Sequence, residues 1–366
     1  MSERHYNFAA GPAVLPVPVL DQIQREMLAL PGVGASILEI SHRSKPFLAI
    51  LEGATTNLRK LLSIGDEYEV LFLQGGGRLM FSMVPMNLAG TGRSADYIVT
   101  GSWGKCALKE AQQLGQARAA WDGKEGNYTR LPTSGELKLD ADAAYVHFTS
   151  NETIEGVQFA EEPIVNDVPL VCDASSDFLH RPLDIAKYGL IYACAQKNAG
   201  PAGVTIVIVR KDLLARSGDK LPGYLNLRLH AENASLWNTA PTFAIYVVKL
   251  VTDWLLAEFG GLAEMYRVNQ RKAKLLYDLL DQYPDFYRGH SRPECRSLMN
   301  VTFRLPNEEL TERFVGEAQR RGLTELKGHR SVGGIRASIY NAMPLAGVEA
   351  LRDFMLDFAR RITNSK

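Results

Sequence analysis

Six short apolar runs punctuate the first 210 residues: YEVLFL (68–73), ADYIVT (95–100), AAYVHF (143–148), VPLVC (168–172), LIYACA (190–195) and VTIVIV (204–209). Each is β-length and nearly continuous in its apolar character. Such runs fit strands buried on both faces, as in a largely parallel sheet covered by helices. Helical stretches such as Arg78–Leu88 and Lys105–Leu114 lie between them. The alternation predicts a doubly wound α/β unit. After about residue 240 the pattern changes. Residues 241–259 and 261–283 read as two long helices, the second with Leu275, Leu276, Leu279 and Leu280 on one face. Strand-like MNVTFRL (299–305), a helix near 308–321, strand-like GIRASI (334–339) and a helix over 347–362 follow. The expected organisation is a large α/β domain over 16–258, and a smaller α+β domain formed by 1–15 with 259–366.

The 366 residues include 41 Lys plus Arg and 41 Asp plus Glu, so the net charge gives no sign of a nucleic-acid partner. Any anion binding must come from local clusters. Cys106, Cys172, Cys194 and Cys295 form no CxxC pair and no zinc spacing, so no metal is expected. Cys172 and Cys194 stand in apolar runs as small buried hydrophobes and fit a reducing, cytoplasmic compartment. MSERHYNFAAGPAVL does not read as a signal peptide, and no apolar run is long enough to cross a membrane.

In open α/β sheets, ligands bind beyond the carboxyl ends of the strands. The segments that follow the predicted strands are therefore informative. They are Gln74-Gly75-Gly76-Gly77-Arg78, Gly101-Ser102-Trp103-Gly104, Thr149-Ser150-Asn151-Glu152-Thr153, Asp173-Ala174-Ser175-Ser176 and Gln196-Lys197-Asn198-Ala199-Gly200-Pro201. Glycines before a helix expose N–H groups that suit a phosphate, although such turns also serve packing alone. The pattern is neither GxGxxG nor a P-loop, which disfavours dinucleotides and nucleoside triphosphates. Asp173 reads either as a turn or cap residue or as the counter-ion of a protonated ring nitrogen. Lys197, between a buried run and a Gly-Pro turn, reads either as a solvated charge or as a desolvated amine able to attack a carbonyl. Trp103 is either core or a platform for a flat ring. Thr153 and Gln196 carry hydroxyl and amide groups for a phenolic oxygen and a phosphate, or cap turns. The His-Arg pairs His42-Arg43 and His329-Arg330, with Arg336, offer forks for a small substrate carrying more than one anionic group.

Seven stretches together resemble the phosphoserine aminotransferase family, within the class V, fold type I pyridoxal-phosphate enzymes. They are FAAGPAVLP (8–16), EISHRSK (39–45), QGGGR (74–78), SNETIEGV (150–157), DASSDFLHRPLDIAKYGLIYACAQKNAGPAG (173–203), WNTAPTF (237–243) and KGHRSVGGIRASIYNAMP (327–344). The resemblance implies the fold type I architecture, with a mostly parallel seven-stranded sheet in the large domain. It implies pyridoxal 5′-phosphate held as a Schiff base on Lys197, with Asp173 at the pyridinium nitrogen, Trp103 stacked on the ring and Thr153 near the phenolic oxygen. Gly77, Arg78 and Gln196 are implied as the phosphate cradle, and Asn238 and Thr239 as a pair reaching the cofactor of a second subunit, hence a homodimer. Arg336 is implied to clamp the substrate α-carboxylate, and His42, Arg43, His329 and Arg330 to meet its distal phosphate or carboxylate. The implied reaction moves the amino group of L-glutamate to 3-phosphohydroxypyruvate, giving O-phospho-L-serine and 2-oxoglutarate. Some relatives also use 4-phosphohydroxy-L-threonine, of pyridoxine biosynthesis. One departure stands out: Ala9 and Ala10 occupy positions where the family often has Ser or Cys, so no side-chain hydroxyl contact to substrate is expected there. The rival readings are an alanine–glyoxylate-type aminotransferase, a cysteine desulfurase, a non-catalytic cofactor binder and a dinucleotide-binding protein.

Overall fold

The computed structural model describes residues 4–90 and 92–364. Residues 1–3 and 365–366, at the ends of the expected smaller domain, lie outside the described residues. Seven strands form the main sheet: β1 Tyr68–Gly75, β2 Ala95–Val99, β3 Ala117–Asp122, β4 Val146–Thr149, β5 Leu170–Asp173, β6 Leu190–Cys194 and β7 Gly203–Arg210. Their spatial order is β1-β7-β6-β5-β4-β2-β3. The pairs β2/β3, β2/β4, β4/β5 and β5/β6 are parallel. Strand β7 runs antiparallel to both its neighbours. Its apolar run carries no signal of direction. The turn after β6 is too short for the crossover of a dozen or more residues that a parallel neighbour requires, so β7 must reverse. Strand β3 escapes sequence reading because ARAAWD lies at the sheet edge with only Ala120 buried, so it lacks an apolar run. The run at 143–148 pairs as strand only from Val146.

Helices cover both faces. On one face, α1 (Val17–Glu26), α2 (Lys45–Leu62) and the apolar α5 (Thr242–Phe259) enclose a core with Phe72, Val146 and Ile206. Helix α2 buries Phe47, Leu51, Ala54, Leu58 and Leu62 at helical spacing, starts at a Ser44 side-chain cap and carries Pro46 in its first turn. On the other face, α3 (Gly77–Leu88) and α4 (Ser102–Leu114) pack on Leu71, Tyr97, Val171 and Tyr192. Each of these two helices starts directly after a strand end, so its N-terminus opens at the sheet's carboxyl edge.

A second core lies around Phe303, Phe314, Tyr287 and Phe358. It joins α6 (Leu262–Gln282), α7 (Glu308–Arg320) and α8 (Leu345–Thr363) to a small sheet built on β8 (Asn300–Arg304) and β9 (Ile335–Ser338). The short strand Tyr6–Asn7 pairs with Leu323–Thr324, which ties the N-terminal segment to this core. Helix α6 contributes Leu262 and Met265 to the first core and Ala273 onward to the second.

Lys272 of α6 is fully buried. Its Nζ donates to the carbonyls of Ile339 (2.9 Å), Tyr340 (2.7 Å) and Met343 (3.2 Å). Burial pulls its pKa down to about 7. The segment it holds docks on the turn that follows β6, since Asn341 N donates to Asn198 Oδ1 at 2.9 Å. Lys272→Met would leave buried carbonyls without donors and should lower stability by about 3 kcal/mol. Urea unfolding of wild type and variant measures this, and an unchanged midpoint would contradict it.

Candidate active site

Five strand ends meet the small core at a cavity of about 440 Å³. Lys197 stands at its centre, three residues beyond the end of β6 at Cys194. Its Nζ donates to Thr153 Oγ1 at 2.7 Å and lies 5.8 Å from the centroid of the Trp103 ring. Asp173 closes β5 and is 4% exposed. Burial raises the pKa of its carboxyl, against the pull of Ser175 and the Lys197 charge. Ser175 N donates to Asp173 Oδ1 at 3.0 Å, which fixes the carboxylate and aims it into the cavity. A carboxylate so placed is costly unless a positive group meets it.

Trp103 lies in the first turn of α4, with its backbone N–H donating to Glu152 Oε2 at 2.9 Å. Arg78 sits over the same ring, its guanidinium carbon 5.5 Å from the centroid. Helix α3 begins at Gly77 without a side-chain cap, so its first N–H groups are open to an anion. Gly77 is tightly placed, since a Cβ there would come within 3.2 Å of Ser175 Oγ. Gly11 approaches from the opposite side with φ +141°, where a Cβ would meet the Lys197 chain at 3.2 Å. Only glycine combines that conformation with that contact.

Four buried polar atoms of residues lining this cavity have no hydrogen-bond partner among the described residues: Trp103 Nε1, Thr149 Oγ1, Asn151 Oδ1 and Gln196 Oε1. Buried polar groups are normally satisfied, so such a cluster calls for a polar ligand. An aromatic ring with a phosphate, a phenolic oxygen and a basic ring nitrogen matches the residues present: an uncapped helix start, Arg78, a flat tryptophan, an amine beside a hydroxyl, and a fixed carboxylate. Among the described residues, no group of three or more His, Cys, Asp or Glu could hold a metal ion.

The predicted site residues divide into two sets, with Arg330 apart from both. Gly77, Arg78, Trp103, Thr153, Asp173, Gln196, Lys197, His329 and Arg336 all line the cavity. His42, Arg43, Asn238 and Thr239 do not; they gather at a separate surface. There Arg43 donates to Leu236 O at 3.2 Å, and Asn238 Nδ2 donates to Gln74 Oε1 at 3.0 Å. Trp237 beside them is 44% exposed. Arg330 is exposed on the loop that presents His329. Ala10 lines the cavity and Ala9 does not, and neither has a side-chain oxygen. Sequence reading passed over Ser175, Phe81 and the acids Glu152 and Glu155. The acids had a signal: two carboxylates in the short stretch 150–157, directly after a buried strand.

This fold and cavity define a fold type I pyridoxal-phosphate-dependent enzyme. The class-V aminotransferase family profile matches residues 5–351. A phosphoserine aminotransferase from Rhodopirellula baltica is 56% identical over 98% of this chain and 96% of its own. One from Geobacillus kaustophilus is 52% identical over 98% and 99%. The crystal structure of phosphoserine aminotransferase from Bacillus circulans subsp. alkalophilus superposes with a TM-score of 0.96 at 49% identity, covering 98% of this chain and 99% of that one. The chain belongs to the class-V aminotransferase family and, within it, to the phosphoserine aminotransferases. An alanine–glyoxylate aminotransferase from Nostoc shares the fold, with a TM-score of 0.79 at 16% identity over 98% of this chain and 96% of that one.

Gly101 closes the turn into α4. A Cβ there would fall 2.6 Å from Glu152 Cγ and 2.7 Å from Glu155 Oε2. Gly101→Ala should push the start of α4, and Trp103 with it, off the cavity. Cofactor affinity should drop by about tenfold, equivalent to about 1.4 kcal/mol. Titration of apoenzyme followed by tryptophan fluorescence reads this directly, and wild-type affinity in the variant would contradict it.

Proposed function

We propose that this chain transfers the amino group of L-glutamate to 3-phosphohydroxypyruvate, with Lys197 and Asp173 as the catalytic pair. One observation carries the reading: His329 and Arg336 line the same cavity as Lys197 and Asp173. An amine, a ring-binding wall and an anion-binding wall therefore face one another. Names and identities of the relatives support the same substrates.

Pyridoxal 5′-phosphate bound here supplies an electron sink for the negative charge that develops at the substrate α-carbon. Gly77, Arg78 and Gln196 hold its phosphate, with the start of α3 adding N–H donors. Trp103 fixes the ring plane, and Thr153 orients the Lys197 amine. Asp173, kept from water, holds a proton on the ring nitrogen by charge. Arg336 forks onto the substrate α-carboxylate and fixes which bond at the α-carbon breaks. Lys197 Nζ then takes the α-proton from the donor and, in the reverse half-reaction, returns one to the acceptor. Donor and acceptor use the site in turn, so the kinetics should be ping-pong.

The enzyme works as a homodimer in this reading. Asn238, Thr239, His42 and Arg43 serve the site of the second copy, where the His-Arg pair joins His329 and Arg330 on the distal phosphate or carboxylate. Their grouping beside exposed Trp237 supports that role, as does their absence from the lining of their own chain's cavity. Residues 16–258 form the large unit, and 1–15 with 259–366 the small one; the separate cores and the pairing of Tyr6–Asn7 with Leu323–Thr324 support this division. The four free cysteines suit a reducing, cytoplasmic setting. No helix among the described residues is long and apolar enough to cross a membrane. A desulfurase would need a mobile reactive thiol, whereas Cys172, Cys194 and Cys295 are buried and Cys106 lies within α4.

Purified enzyme should aminate 3-phosphohydroxypyruvate from glutamate far faster than it aminates glyoxylate from alanine; the opposite order would overturn the assignment. Asp173→Asn should lower kcat by at least about 100-fold, the scale expected for loss of a fixed charge at the reacting centre. Arg43→Ala should raise KM for the phosphorylated substrate while leaving the chain folded. Sedimentation should show a particle of twice the chain mass, and a stable active monomer would rule out the shared site.

A further inference from the structure

The hairpin that carries Thr153 also carries two acids with no part in the scheme above. Glu152 is fully buried and Glu155 is 2% exposed. Both lie under the first turn of α4. Glu152 accepts from Trp103 N and from Gly104 N at 2.9 and 2.8 Å. Glu155 Oε1 accepts from Ser102 N at 3.1 Å and from Ser102 Oγ at 2.6 Å. The two carboxyls converge on Gly101, where a single added carbon would touch both. Glu155 Oε2 is buried and has no hydrogen-bond partner.

Glu155 also reaches the anion-binding wall through its backbone. Its carbonyl accepts from Thr302 Oγ1 at 2.8 Å, and Thr302 on β8 is the register partner of Arg336 on β9. The groups that bear on Glu155 are Glu152 from its own hairpin, Ser102 from α4, Tyr128 from the segment after β3, and Arg336. Arg336 is the cation of that set. Asp173 adds a third acid, acting on Glu152. Burial raises the pKa of Glu155, while Ser102 and Arg336 pull it back. The Arg336 side chain has no hydrogen-bond partner among the described residues, so its fork is free for a ligand.

Two buried carboxyls converging on one glycine tolerate two negative charges best beside a positive one. A substrate carboxylate on Arg336 takes up that positive charge. We propose that Glu155 is a positioning residue: ionised, it steadies Arg336 by charge in the substrate-free site, and it takes up a proton when a substrate α-carboxylate becomes the partner of Arg336. The only bond formed is O–H at Glu155, and the proton comes from solvent. Because binding takes up a proton, carboxylate affinity falls as pH rises through the range in which Glu155 titrates. The inference rests on the reading of Arg336 as the α-carboxylate clamp.

Glutarate, a dicarboxylate without an amino group, tests this on the holoenzyme. Calorimetric titration at one pH in two buffers of different ionisation enthalpy counts the protons taken up. Wild type should take up a fraction of a proton per site, Glu155→Gln should lose most of that uptake, and Glu155→Asp should restore it. Equal uptake in wild type and Glu155→Gln would overturn the proposal. Should Glu155→Gln fail to fold, Ser102→Ala removes a hydrogen bond to the ionised carboxyl and should move the pH range of uptake upward; an unmoved range overturns the proposal as well. Arg336→Ala separates the two claims. If it binds glutarate as wild type does, the clamp reading fails and takes this inference with it. If it loses glutarate while Glu155→Gln keeps full uptake, only the inference about Glu155 fails.

Discussion

The site depends on one burial that the protein alone does not neutralise. Asp173 ends a central strand with its carboxyl walled off from water, held by Ser175 and facing the positive charge of Lys197. Left so, it would cost stability. In the proposed site a protonated ring nitrogen would relieve that cost, and Asp173 would keep the proton on the ring. One interaction would then serve both stability of the bound state and reactivity.

The sheet makes the interaction possible. Parallel β4, β5 and β6 deliver Thr149, Asp173 and Cys194 at neighbouring carboxyl ends, and the turns beyond them bring Thr153 and Lys197 to hydrogen-bonding distance. Helices α3 and α4 open at the same edge and bring Gly77, Arg78 and Trp103 to the cavity, the proposed phosphate cradle and ring platform. The small core closes the cavity with Arg336 and His329. Its alignment runs through buried polar contacts, with Lys272 holding the 339–343 segment and Asn341 bonded to Asn198 beside Lys197.

Much of this was legible in the sequence, for identifiable reasons. Strands buried on both faces leave apolar runs, so β1, β2, β4, β5, β6 and β7 were visible. Strand β3 was not, because an exposed edge strand need not be apolar. The direction of β7 was hidden, since apolar runs carry no polarity. Nine predicted site residues line the cavity, and seven of them stand at or just beyond main-sheet strand ends, where ligand-facing groups gather; His329 and Arg336 come from the small unit. Geometry was needed for the rest. Sequence order cannot tell that His42, Arg43, Asn238 and Thr239 stand apart from the cavity of their own chain. Nor does it reveal that Glu152 and Glu155 meet at Gly101, since that contact joins two turns about fifty residues apart.

The central claim is that Lys197, paired with Asp173, anchors the cofactor. Borohydride reduction of the yellow enzyme, followed by digestion and mass spectrometry, tests it most directly. The account predicts a single pyridoxyl mass addition on the peptide containing Lys197, absent from Lys197→Ala. The same addition on another lysine of wild type, or its persistence at this site in Lys197→Ala, would contradict it.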